Sequence, residues 1–194
     1  MILPWHSGIW SRLARPGERG HHALLLAGPT GGGKRLFAEE LAASRLCDAP
    51  DSEGHACGRC ESCVWIAAAT HPDLIHLTPE IDDADEGEGA KSRQIKVEQI
   101  RTLQEALVCK GTRGERRVVI VDPAEAMNVV TANGLLKLLE EPPAGVLFVL
   151  ISSSPDRLMP TLISRSQRWD FPAPPTELAR AWLAEQGVEG AGTG

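Results

Sequence analysis

Gly28 to Arg35 reads G-P-T-G-G-G-K-R, and no other stretch limits the possible folds as sharply. It fits the pattern G-x-x-x-x-G-K. An apolar run, His22 to Ala27 (H-A-L-L-L-A), precedes it, and Lys34 to Leu46, of helical composition, follows. Strand, glycine-rich loop and helix in that order form a phosphate cradle. The glycines let backbone N–H groups turn inward around phosphate oxygens, and the helix amino end adds positive potential. Lys34 would neutralise the β and γ phosphates. Gly28, Gly33 and Lys34 are therefore candidate phosphate-binding residues.

The rest of the chain continues the alternation. His71 to Leu77, Arg117 to Asp122 and Val146 to Ser152 read as further strands. Gln94 to Val108 carries Val97, Ile100, Leu103 and Leu107 at helical spacing, and Ala126 to Glu141 reads as a helix stopped by Pro142 and Pro143. On the helix after the loop, Leu36, Phe37 and Leu41 are expected on one buried face. Strands alternating with helices predict a doubly wound parallel α/β sheet. Beyond Pro172, Pro174 and Pro175 a linker leads to a short helix, Thr176 to Gln186.

Two parts that would use a bound nucleotide are damaged. After G-K a Ser or Thr should supply a hydroxyl to Mg²⁺, but Arg35 stands there and offers only donors. Asp122 ends an apolar strand where a Walker B aspartate belongs, and the next position, suited to a water-polarising glutamate, is Pro123. Glu125, two residues further, is expected to point elsewhere. The pattern predicts a nucleotide fold that hydrolyses poorly or not at all.

Cysteine placement adds a second chemistry. Cys57, Cys60 and Cys63 follow C-x2-C-x2-C, with Cys47 ten positions before the first. Four thiolates at such spacing suit tetrahedral Zn²⁺, and a closed set leaves no open position for water, so the metal would be structural. Unconnected thiols and an iron–sulfur cluster are the weaker readings, and His55 is the one substitute for Cys47. Cys109 reads as a small core residue. An odd count with four clustered is not a disulfide framework, which favours a reducing compartment. Net charge is −6, and six acids fall between Glu80 and Glu88, a stretch read as a solvated loop. Without them the chain balances at 20 basic and 20 acidic residues, so composition gives no support for a strongly basic nucleic-acid binder. Neither a membrane span nor a secretory leader is evident. Lys91 to Arg117 nevertheless holds eight basic residues against three acidic, a solvated face or one turned to DNA or a partner.

A phosphate loop, a cysteine insert after its helix, and then Asn133 to Pro143 (N-G-L-L-K-L-L-E-E-P-P) together resemble the bacterial DNA polymerase III clamp-loader family. These are AAA+ proteins that open a sliding clamp and close it on primed DNA. Phe148 to Pro160 resembles the sensor 1 strand and its loop, with Ser152 or Ser153 in the sensor position. Thr161 to Arg165 (T-L-I-S-R) resembles the family's Ser-Arg-Cys motif, with Ser166 in place of the cysteine. The likeness runs from about Leu3 to Pro175. Arg35 and Pro123, with Pro4-Trp5 and His71-Pro72-Asp73, align the chain with the delta-prime branch, whose site is degraded but whose arginine motif is kept.

The resemblance implies an AAA+ nucleotide-binding-like domain over 1–172, with a zinc module at about 47–63. It also implies a linker and the start of a helical lid over 173–194; the family's collar is expected to be absent from this chain. Arg165 would act in trans, as an arginine finger on ATP held by a neighbouring subunit. Implied partners are the ATPase subunits, delta, and through the complex the clamp and primed DNA, in the cytoplasm at the replisome; the chain alone would be a monomer. ATP binding to its own loop, through Gly28, Gly33, Lys34 and Asp122, is doubtful. Two alternatives stand: an active ATPase subunit of the gamma/tau type, and an unrelated P-loop kinase, against which the cysteine insert and arginine motif argue.

Overall fold

The computed structural model describes residues 2–14, 21–81, 93–108, 111–112 and 116–187. Its centre is β1 (Ala23–Ala27), buried at all five positions because strands lie on both sides and helices on both faces. The other strands of that sheet are β2 (Leu74–Leu77), β5 (Arg117–Val121), β6 (Val146–Ser152) and β7 (Gln167–Asp170), in the order β2-β5-β6-β1-β7, with every pairing parallel. Between β2 and β5 in sequence, β3 (Glu80–Ile81) and β4 (Arg93–Gln94) form a separate antiparallel pair. Glu80 lies in β3; the remainder of the acidic stretch, and Cys109, fall outside the described residues.

Period-two alternation divides each strand between two cores. Leu25, Val119, Val121, Phe148 and Leu150 face one side, where α4 (Val97–Val108), α5 (Val129–Glu140) and α6 (Pro160–Arg165) contribute Ile100, Leu103, Leu135, Leu139 and Leu162. Leu24, Leu26, Ile120, Val149 and Ile151 face the other. There α1 (Ser7–Leu13) supplies Trp10 and Leu13, and α2 (Lys34–Leu46) supplies Phe37, Leu41 and Leu46. The remaining helices are α3 (Glu61–Ala67), within the cysteine insert, and α7 (Thr176–Glu185). None is long and apolar enough to cross a membrane.

Several boundaries differ from the sequence reading for local reasons. The strand expected from His71 begins at Leu74, because His71 Nδ1 accepts a hydrogen bond from the Asp73 N–H and bends the chain there. Helix α5 begins at Val129, after the Asn128 side chain caps it by accepting from the Thr131 N–H; Ala124–Ala126 is a separate 3₁₀ turn. Leu36 is 54% exposed, so the buried face of α2 runs through Phe37, Ala38 and Leu41. Strand β7 (Q-R-W-D) carries no strand pattern in its sequence, because a short edge strand buries only its tryptophan.

Candidate functional site

Three adjacent strands deliver the phosphate-loop residues. β1 runs into Gly28, β5 into Asp122, and β6 into Ser152 and Ser153, so the residues meet at the carboxyl ends, where ligands bind in parallel sheets. Gly33, with φ +86°, sits at the N-cap of α2, where a side chain would also strike Leu3. A β-carbon on Gly28 would collide with the carbonyl of Phe171. Both glycines are thus demanded by close packing as well as by the turn.

Lys34 is buried and already bonded. Its Nζ donates to the carbonyls of Gly28 and Pro29, each at 2.7 Å, and to Ser153 Oγ at 3.3 Å. Burial lowers its pKa, while the negative charges of Glu125 and Asp122 pull it back up. Ser153 therefore carries the hydroxyl that meets the loop; the Ser152 hydroxyl is buried and accepts from the Ser154 N–H.

Arg35 places its guanidinium Nε 3.6 Å from Asp122 Oδ2. Burial raises the pKa of Asp122, and Arg35 is the main charge opposing that rise. A divalent cation seeking Asp122 would therefore meet a like charge already beside it. Glu125 corrects the sequence reading: it does not point away. The turn after Pro123 brings its Oε1 to 2.9 Å from the Ser153 N–H, which donates to it, and sets its charge against Lys34. Two basic and two acidic side chains thus neutralise one another around the loop.

The amino-terminal segment roofs the site, a role that sequence alone did not show. Trp5 Nε1 donates to the Gly32 carbonyl at 3.5 Å, and its ring meets Trp182 of α7 edge-on at 5.9 Å. His6 is 1% exposed, edge-on to Phe171 at 4.7 Å and Phe37 at 5.8 Å. Neither ring nitrogen makes a well-formed hydrogen bond, and burial lowers its pKa, with the Gly32 backbone offsetting part of the shift.

In the insert, α2 ends at Cys47, a glycine turn carries Cys57, and α3 is capped by Cys60 with Cys63 in its first turn. The four ligand sulfurs all lie within 4.8 Å of one another. Cys47 and Cys60 are 3.9 Å apart, and Cys57 and Cys63 4.0 Å. Tetrahedral zinc at ~2.3 Å per bond sets its sulfurs about 3.8 Å apart, so this donor set could hold that ion. N–H groups of Arg59 and Cys60 lower the Cys57 thiol to about 6, whereas burial pushes Cys63 up to about 12. His55 is not part of the group: it stacks on Trp10 at 4.8 Å and faces Glu53 at 3.8 Å.

Arg165 closes α6. Its Nη2 lies 2.6 Å from Glu140 Oε1, at the end of α5, and its Nη1 donates to the Thr161 carbonyl at 3.4 Å. Both partners of the pair are partly exposed.

Comparison with known proteins bears on all three regions. The chain is 44% identical over 183 residues to a DNA polymerase III subunit delta' of Pseudomonas aeruginosa, covering 94% of this chain and 52% of that protein. Against the Escherichia coli subunit delta' it is 37% identical over 186 residues, again 94% and 52%. It is also 35% identical to a subunit gamma/tau of Mycobacterium tuberculosis, over 84% of this chain and 26% of that one. The chain thus spans about half the length of the delta' relatives it matches. A crystal structure of a DNA polymerase III gamma subunit-related protein of Thermotoga maritima superposes with a TM-score of 0.61 over 94% of this chain and 53% of that one; at 23% identity this shows a shared fold. The family model described as DNA polymerase III, delta subunit, matches residues 9–175. A match running from α1 through the loop, the cysteines and Arg165 makes the chain a member of the DNA polymerase III delta-subunit family, on its delta-prime branch.

Proposed function

We propose that the chain serves as the delta-prime-type, non-hydrolysing part of a clamp loader. It would order the ring of ATPase subunits and delta, in the cytoplasm at the replisome, while a sliding clamp is set on primed DNA. The observation that carries this reading is Arg35 lying against Asp122, which puts a guanidinium where a Mg²⁺-binding hydroxyl and cation would stand. Pro123 adds to it, since it has no group to polarise water. Catalysis would pass instead through Arg165, reaching the γ-phosphate bound by the neighbour and stabilising charge in transfer. Such residues contribute about 10³–10⁵ in rate.

Cys47, Cys57, Cys60 and Cys63 would hold a structural zinc, which supplies cross-linking between the end of α2 and α3 and no reaction chemistry. Residues 1–172 form the nucleotide-binding-like domain in this reading, and 173–194 the linker and start of the lid. The retained Lys34 and the likeness to gamma/tau favour a second reading, an active ATPase subunit. Mg²⁺-dependent ATP hydrolysis by the purified chain separates the two. No turnover is expected; turnover abolished by Lys34→Ala would overturn the proposal.

A further inference from the structure

We propose a second phosphate-binding site at the opposite end of the sheet, formed by Arg45 and Arg116 together with His21. Parallel strands make the placement inevitable. Residues just before β1, β5 and β6 must share one end of the sheet, and these are His21 and His22, Arg116, and Gly145. Helix α2 starts at the phosphate loop and runs back along the sheet, so its last turn brings Arg45 to the same end. These residues line a cavity of about 360 Å³ with Arg117 and Leu147. That lies within the ~300–1,000 Å³ of ordinary ligand pockets.

The hydrogen-bond inventory shows what the cavity lacks. Arg117 is engaged, with its Nε 3.7 Å from Asp73 and Nη1 donating to the Ala106 carbonyl at 2.8 Å. His22 Nε2 meets the Leu139 carbonyl at 3.0 Å, which fixes that ring. Arg45 donates from Nη2 to the Leu13 carbonyl at 2.8 Å, but its Nε is buried with no partner. Arg116 donates once, to the Cys47 carbonyl at 3.3 Å. A guanidinium carries five N–H donors, so both arginines retain most of theirs, and neither has an ion-paired carboxylate among the described residues. Two guanidinium groups and the His21 imidazole around one concavity match an oxyanion that accepts several hydrogen bonds at once. That is the chemistry of a phosphate more than of a single carboxylate. The same region accounts for part of the basic excess between Lys91 and Arg117.

The phosphate could be free, as inorganic phosphate or part of a nucleotide, or it could belong to a nucleic-acid backbone. The test titrates the chain with inorganic phosphate by calorimetry and with a fluorescent 15-mer of thymidine by anisotropy, in wild type, Arg116→Ala and Lys34→Ala. Arg116 is exposed, and a thermal melt with a zinc count establishes that the variant keeps its fold and its cysteine group. Phosphate affinity at least tenfold weaker in Arg116→Ala and unchanged in Lys34→Ala supports the site with a free phosphate. Oligonucleotide binding weakened by Arg116→Ala, with the log–log salt slope smaller by about one, supports it with a backbone phosphate. Absence of binding to both probes, or binding that only Lys34→Ala removes, overturns the proposal.

Discussion

Arg35 shows how one side chain can convert a phosphate loop into a different device. Its guanidinium lies beside the carboxylate that would otherwise attract a divalent cation. Arg35→Thr restores the hydroxyl and frees Asp122, so nucleotide binding should become Mg²⁺-dependent in equilibrium titration while hydrolysis stays absent, since Pro123 remains. Arg165 is held by Glu140 in the same pairwise manner. A half-exposed pair of this kind is worth about 0–1 kcal/mol. Glu140→Gln should therefore raise ATP turnover of the reconstituted complex by about fivefold at most, whereas Arg165→Ala should lower it by about 10³. His6 predicts a pH effect. Its pKa is lowered in the fold, so its contribution is complete above its ordinary value of 6.5 and is lost as pH falls from there through the depressed value. Melting temperature should drop between pH 7.5 and 5.5 in the wild type, and less steeply in His6→Leu. Gly28, Gly33 and Lys34 were legible in the sequence because their chemistry is written in eight consecutive residues. Glu125 was not, because its direction depends on a turn that no pattern in its own neighbourhood specifies.

Among elements, the cysteine insert was the most readable and β7 the least. Two-residue spacers between cysteines leave few geometries, and the structure brings all four sulfurs together through a helix end, a glycine turn and a helix cap. The insert has few buried apolar residues of its own, so a metal bond there would take the place of core packing. Cys63→Ser should reduce zinc from one equivalent to none by metal analysis. The accompanying stability loss, on the order of 2 kcal/mol, would lower the melting temperature by about 4–8 °C. Strand β7 escaped notice for the converse reason. Its residues are mostly polar, and what makes it a strand is pairing of Leu24 through Ala27 with Gln167 through Asp170, a relation between distant segments. Leu36 was misplaced by the same blindness: helical spacing located the apolar stripe of α2, but only the sheet determines which residues at its margin are covered.

At the scale of the molecule, alternation of strands and helices was enough to foresee a parallel sheet, while strand order came from the folded chain alone. That order places the loop at one end of β1 and the basic cavity at the other, joined by five fully buried residues. The amino-terminal segment binds the parts together, because Trp5 touches both the loop, at Gly32, and α7, at Trp182. Ultraviolet emission of this chain comes from five tryptophans with no tyrosine, and two of the five meet at that junction. An event that straightens the loop changes the surroundings of Trp5, and one that lifts α7 changes those of both indoles. The protein thus carries an intrinsic optical gauge of its own opening, and Trp182→Phe should reduce the spectral response to a ligand at the loop to the part that Trp5 supplies, while leaving the ligand bound.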